Sequence, residues 1–248
     1  MRYALLLLAG LCLASCSAGK TGGKGARDAD YYYSLAVNSY YDKNAQVALR
    51  ELTACFAINP DHVKAHNLAG IVYLGRKEYA DSLHHLKRTL ELAPNFLDAT
   101  ANLGALYMAM HNWRKAIEVL SPLARDPLYA TPYLVENNLG WAYFKLGKHA
   151  EAETHLKRAL FLNDKMCLAY NNLGVVQVEQ ESFEDALDNF EAAIKRCPQF
   201  VEPYFRAGTV LERSSRFVDA QKRFKKCSKM GGDSVFGRRC RRKLQAMK

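Results

Sequence analysis

Residues 63–96 read VKAHNLAGIVYLGRKEYADSLHHLKRTLELAPNF, and this stretch decides the fold because its pattern recurs along the chain. Gly70 is the first of five glycines spaced 34, 36, 34 and 34 residues apart, and the others are Gly104, Gly140, Gly174 and Gly208. Aromatic and small residues recur in the same register, as when Tyr73, Tyr107 and Tyr143 each follow a glycine by three residues. This period predicts a row of similar helical units, each of which buries its apolar face only against its neighbours.

Each recurring residue type has a mechanical role within a unit of two helices. A glycine at the eighth position lets the second helix of a pair lie close to the first, where a side chain would hold them apart. The prolines Pro60, Pro94 and Pro198 stop the second helix, because proline cannot continue the hydrogen-bond ladder. We therefore interpret these glycines, prolines and aromatics as packing residues and assign no ligand site to them.

The register resembles that of the tetratricopeptide repeat, whose unit is 34 residues long. The resemblance implies an all-α fold: a right-handed superhelical solenoid of six helix-turn-helix repeats with a C-terminal capping helix. Ala, Leu, Lys and Glu fill the periodic segments, and there is no alternating strand pattern. The predicted repeats span 29–231 as 29–62, 63–96, 97–130, 133–166, 167–200 and 201–231, and a basic capping helix follows at 232–248.

The N-terminal residues predict export and lipid attachment. Residues 1–15 contain Arg2 and then an apolar run too short to span a bilayer, which is typical of a signal peptide. The four residues ending at Cys16 (LASC) resemble a bacterial lipobox, which implies that Cys16 is the covalently lipidated N-terminus after cleavage. An ordinary signal peptide or a buried apolar start to the fold are the alternatives. Ser17 follows, and the resemblance to bacterial lipoproteins implies the periplasmic face of the outer membrane; residues 16–28 form a flexible tether.

Five cysteines remain in the expected mature domain, namely Cys55, Cys167, Cys197, Cys227 and Cys240. Because the periplasm is oxidising, a disulfide is expected. We favour Cys227 with Cys240, since both fall on apolar faces on either side of a glycine pair, with Cys197 and Cys240 as the second choice. Spacing alone leaves the connectivity open, and all could instead be small buried residues, which we prefer for Cys55. No Cys/His spacing predicts a metal site.

The positive charge is concentrated at the C-terminal end of the chain. The formal net charge is +10, and residues 213–248 hold 13 Lys and Arg against two Asp. A basic patch is predicted on the capping helix, comprising Arg238, Arg239, Arg241, Arg242 and Lys243. The patch is either the solvated outer face of a cap or a surface that attracts anionic phospholipid or an acidic partner. Because the protein is expected to be exported, we expect no nucleic-acid partner.

The sequence predicts a binding protein and not an enzyme. Signal, tether, repeats and cap account for the whole chain, and we find no Ser/His/Asp set, phosphate loop or HExxH motif. The histidines are scattered. We therefore expect no catalysis, no small-molecule substrate and no cofactor other than the covalent lipid.

Tetratricopeptide repeats build their concave binding face mainly from positions two, five, nine, twelve and thirteen of each first helix, so the resemblance implies that binding occurs there. These positions predict a largely apolar groove for an apolar or amphipathic segment, whose backbone the asparagines could hold. We expect no cluster of Lys and Arg of the kind that clamps a terminal carboxylate. Some of these side chains could instead be buried between repeats. The predicted groove residues are Tyr33, Tyr40, Tyr41, Asn67, Ile71, Leu74, Met108, Asn137, Trp141, Phe144, Asn171 and Val178.

The lipobox, the glycine-rich tether and the six repeats together are similar to the type IV pilus pilotins, the PilF/PilW and Tgl family of outer-membrane lipoproteins. The resemblance implies a protein that binds secretin subunits, brings them to the outer membrane and promotes their multimerisation. The alternative is a lipoprotein scaffold that serves outer-membrane protein insertion or cell-wall enzymes with the same anchor and groove.

Overall fold

A computed structural model of the chain describes residues 28–247, and in that part the chain is all helix, with thirteen α-helices and no strand. The prediction of an all-α fold is confirmed. Six antiparallel pairs are followed by one further helix. The first helices are α1 (Ala29–Tyr41), α3 (Val63–Gly75), α5 (Leu97–Ala109), α7 (Pro132–Lys145), α9 (Cys167–Glu179) and α11 (Val201–Arg213). The second helices are α2 (Ala45–Ile58), α4 (Tyr79–Leu92), α6 (Trp113–Leu123), α8 (His149–Leu162), α10 (Phe183–Arg196) and α12 (Phe217–Gly231), and α13 (Val235–Ala246) closes the row.

The repeated glycines lie where the two helices of a pair touch. A Cβ placed on Gly70 would lie 2.5 Å from Cγ of Leu86, and one on Gly174 would lie 2.7 Å from Cε1 of Phe190. Both partner side chains are fully buried in second helices. The absence of a side chain therefore allows Leu or Phe from the second helix to pack directly on the backbone of the first.

The turn inside each repeat has the same backbone conformation. The residue two places before the second helix has a positive φ in all six pairs, and only Gly147 among them is a glycine. The other five are Lys43, Lys77, His111, Glu181 and Ser215. This left-handed residue reverses the chain after the first helix, as expected for a helix that ends in an αL position. At the other end of the pair, Pro60, Pro94 and Pro198 each lie two residues beyond the second helix.

Helix packing follows chain order, as in a solenoid. Each helix contacts the next one, and consecutive first helices also contact each other from α1 to α11. The last helix, α13, packs on α12 and α11. It approaches closely because a Cβ on Gly231 would lie 2.8 Å from Cα of Gly237, so neither position has room for a side chain.

Residues 1–27, which hold the predicted signal peptide, Cys16 and most of the tether, lie outside the described residues. Among the helices between residues 28 and 247, none is both long and apolar enough to cross a membrane.

Candidate functional site

The first helices form a continuous surface on which cavities occur between repeats four and six. One cavity, of about 340 Å³, is lined by residues of three successive first helices, α7, α9 and α11. A second cavity, of about 150 Å³, lies mainly between α9 and α11. A third, of about 220 Å³, lies between Phe205 of α11 and three cationic residues of α13. We refer to these three cavities together as the groove.

Trp141 and Phe144, two predicted groove residues, form an aromatic platform on α7. Their ring centroids are 5.1 Å apart, and both side chains are partly exposed. The Nζ atom of Lys145 lies 4.9 Å from the Trp141 ring centroid and 5.4 Å from that of Phe144. The platform therefore offers a client an apolar surface with a positive charge held on it.

The asparagines pair between neighbouring first helices. Asn102 Nδ2 donates to Asn67 Oδ1 at 3.0 Å, and Asn172 Nδ2 donates to Asn137 Oδ1 at 3.0 Å. Each pair joins position five of one repeat to position six of the next. The sequence interpretation did not foresee these bonds, although a constant separation of 35 residues between the paired asparagines is visible in the sequence.

This arrangement corrects the role expected of two asparagines. Asn137 and Asn171 are each only 2% exposed, so they offer a client's backbone far less than the sequence prediction assigned to them. The Oδ1 atom of Asn171 is buried and has no hydrogen-bond partner among the described residues. In the next repeat the donor position holds Arg206, whose guanidinium instead bonds the Glu202 carboxylate at 2.9 and 3.1 Å.

The remaining predicted groove residues do not converge on one cavity. Ile71, Leu74, Met108 and Val178 are partly buried, and the last three pack against clusters of buried core residues. Packing between repeats therefore covers part of each of these side chains and leaves less of it for a client to contact. Tyr33 lies 5.1 Å from the ring of His62, whereas Tyr41 is 75% exposed at the end of α1. Tyr40 lies beside Tyr41, with 5.8 Å between the ring centroids.

The predicted basic patch divides into two parts. Arg238 and Arg241 bind the α12–α13 turn: Arg238 donates to the Asp233 carbonyl, and Arg241 donates to the Gly232 carbonyl at 2.7 Å and to Asp233 Oδ1 at 2.9 Å. Arg239, Arg242 and Lys243 instead line the third cavity with Phe205. Part of the patch therefore stabilises the cap, and part of it extends the groove.

This geometry corrects the expectation that the groove lacks clustered Lys and Arg. Lys145, Arg206 and Arg213 line the first two cavities, and the cap adds the three cations of the third. The expectation is wrong because Lys145, at position thirteen of its repeat, lines a cavity and because α13 adds its cations to the same surface.

The structure contains two disulfides among its described cysteines. One joins Cys227 to Cys240, with a Cα–Cα distance of 6.1 Å, which is the pair favoured from the sequence. The other joins Cys167 to Cys197, so Cys197 does not pair with Cys240. Cys55 is free and buried, and burial raises the pKa of its thiol.

Two buried polar clusters lie between the first and second helices of a repeat. His66 donates from Nε2 to the Pro60 carbonyl at 2.8 Å, and its Nδ1 lies 2.9 Å from Nδ1 of His85. Burial, followed by the charge on His66, lowers the pKa of His85 to about 4. In repeat four, the carboxylate of Glu136, 1% exposed, binds His155 and Arg158 at 2.6 and 3.0 Å. No group of three potential ligands able to hold a metal occurs within residues 28–247.

Two solved structures resemble the whole repeat array. PilW, described as a widely conserved type IV pilus biogenesis factor, superposes with a TM-score of 0.78 at 17% identity, covering 88% of this chain and 97% of PilW. PilF of Pseudomonas aeruginosa gives a TM-score of 0.75 at 17% identity, covering 89% of this chain and 97% of PilF. At this identity the likeness shows a shared fold.

A curated relative is the BBSome complex member BBS4 of Bos taurus, 24% identical over 176 residues. The match covers 68% of this chain but only 34% of that protein, so the chain spans about a third of its length. Family models described as tetratricopeptide repeat match residues 73–128, 101–166 and 137–200. Together these matches cover more than half of the 248 residues. The chain belongs to the tetratricopeptide repeat family.

Proposed function

We propose that this protein is a pilotin for the type IV pilus secretin. It is held at the periplasmic face of the outer membrane by lipid on Cys16, binds secretin subunits in the groove and promotes their localisation and multimerisation. Its role is binding and not catalysis.

The proposal is supported mainly by the likeness to PilW and PilF, which share both the fold and nearly the whole length of the repeat array with this chain. Nearly the whole of PilW and PilF is covered by this chain, and about nine-tenths of this chain is covered by each. By contrast, the chain spans only a third of the curated relative BBS4. The repeat array over nearly its whole length is therefore what this chain shares with the two pilus proteins.

The groove suits a client that must be held before it assembles. Its lining combines the Trp141 platform with Leu168, which is 44% exposed, and these apolar surfaces can cover a segment that the client later buries in its multimer. The lipid on Cys16 supplies the location, since a diacylated residue anchors stably where a single chain does not.

The test is a deletion strain of the source organism, examined for secretin multimers by electrophoresis without boiling. We expect monomers in the deletion strain and multimers after complementation with the intact gene. A Cys16→Ala variant should accumulate without membrane attachment and should leave most of the secretin unassembled.

The matched control is Phe161→Ala, which removes an aromatic side chain that is 89% exposed on the second helix α8. It should complement fully, whereas Trp141→Ala should not. Normal secretin multimers in the deletion strain would refute the proposal. A defect confined to outer-membrane barrels or to the cell wall would instead favour the scaffold alternative.

A further inference from the structure

We propose that the groove of repeats four to six, together with α13, selects an extended client segment that carries carboxylates among apolar residues. This inference rests on the proposed function, because it names the chemistry of the client segment that the same groove would hold.

Lys and Arg outnumber Asp and Glu in the groove, and most of them form no ion pair with a described residue. Six Lys and Arg line the three cavities, against the two carboxylates of Glu179 and Glu202. Arg206 is bound to Glu202, and Lys243 pairs with Glu212 from outside the cavities. The other four, which form no ion pair with any described residue, are Lys145, Arg213, Arg239 and Arg242. An anionic ligand would supply the missing partners.

Three of these four cations lie on aromatic rings. Lys145 lies on Trp141, and the guanidinium of Arg213 lies 5.7 Å from the ring centroid of Phe183. Arg239 lies 5.8 Å from the ring of Phe205. Fixing the charged groups lowers the entropy lost when they bind a carboxylate, and the rings beside them provide contacts for apolar side chains. The lining of the groove therefore combines charged groups with apolar surface.

The positions of the cations favour a peptide over a membrane. Arg238 and Arg241 already donate hydrogen bonds to the α12–α13 turn. Fewer unpaired cations therefore remain on the outside of the cap to bind a flat anionic membrane. The unpaired cations instead lie on α7, α11 and α13. Helix α9 carries none of them but lies between α7 and α11 and contacts both, and α11 contacts α13. With about 10 Å between neighbouring helices and about 3.3 Å per extended residue, a strand of roughly nine residues reaches from Lys145 to Arg242.

The test compares fluorescently labelled peptides of about ten residues in anisotropy titrations with the full chain. One peptide alternates Asp with Leu, and its isosteric control alternates Asn with Leu. We expect the Asp peptide to bind at least about tenfold more tightly at low salt, and the difference to shrink as ionic strength rises.

The groove variant is Arg213→Gln with Arg239→Gln, and the charge-matched control is Lys225→Gln with Lys226→Gln. Lys225 and Lys226 are exposed on α12 and line none of the three cavities. The groove variant should lose about tenfold in affinity for the Asp peptide, whereas the control should retain it. Circular dichroism checks that both variants stay folded.

Equal binding of the two peptides, or equal losses in the two variants, would overturn the inference. The inference would also be overturned if the Asp peptide did not bind while anionic phosphatidylglycerol vesicles did, and if vesicle binding required Arg239. That result would favour a lipid surface as the ligand. These outcomes can be distinguished from failure of the proposed function. A protein that assembles the secretin normally could still bind the Asn peptide as tightly as the Asp peptide or more tightly, and only the inference would then be wrong.

Discussion

Replacing Gly140 by Ala should destabilise the solenoid, although the same replacement at Gly75 should stabilise it. The two glycines lie on first helices of different repeats, and neither has a positive φ. A Cβ on Gly140 would lie 2.6 Å from Cγ of Leu156 and 3.1 Å from the backbone oxygen of Ala152, whereas a Cβ on Gly75 meets nothing within 4 Å.

The magnitude follows from two opposing effects. Alanine favours a helix over glycine by about 1 kcal/mol, and at Gly75 most of this gain should appear in the free energy of unfolding. At Gly140 the new methyl group must displace Leu156, which is fully buried, and overpacking of this kind costs about 1–3 kcal/mol. The oxygen of Ala152 cannot move without shifting α8, so we place the cost at the upper end and expect a net loss of about 1–2 kcal/mol.

Urea denaturation followed by far-ultraviolet circular dichroism measures both variants against the unaltered chain. The difference between the two variants should be about 2–3 kcal/mol in the free energy of unfolding, from the same effects. A Gly140→Ala variant at least as stable as Gly75→Ala would refute the claim that the recurrent glycine is required by helix contact.

Three further predictions concern pH, redox state and binding. The pKa of His85 is lowered to about 4, below its unfolded value of about 6.5, so the folded state binds fewer protons than the unfolded state between these pH values. The free energy of unfolding should therefore fall as the pH drops from 6.5 towards 4. Denaturation at several pH values should show a weaker pH dependence for His85→Gln. Replacing Cys167 by Ser opens the bond to Cys197 across a loop of 30 residues and should cost about 3–4 kcal/mol by denaturant titration, whereas an unchanged midpoint would contradict the bond. Trp141→Ala should weaken capture of the client at least about tenfold in pull-down titrations while Phe161→Ala does not, and equal behaviour of the two would move the binding surface elsewhere.

The fold could be derived from the sequence because its determinants are local and repeated. Gly70 and its equivalents mark the helix contacts, and Pro60, Pro94 and Pro198 mark where second helices end. The turn residues with a positive φ are harder to predict from the sequence. The positive φ at Lys77 and Glu181 depends on the helices on either side, since these residue types do not favour it.

The site was less predictable because it depends on contacts between repeats. The bond from Asn172 to Asn137 needs the register of two adjacent first helices, and it turns a predicted groove side chain into a buried one. Arg239 reaches the groove only because α13 packs on α11. The bond between Cys167 and Cys197 could have been found, since these residues lie at the start of one helix and just past the end of its antiparallel partner.

Site-specific photocross-linking in the source organism tests the central claim most directly. A photoreactive amino acid is placed at Trp141 in the groove and, in a separate strain, at Phe161 on α8. The account predicts that the secretin subunit is cross-linked from Trp141 and not from Phe161, before multimers form. Cross-linking of the secretin from Phe161 alone, or from neither position while other proteins are captured at Trp141, would contradict it.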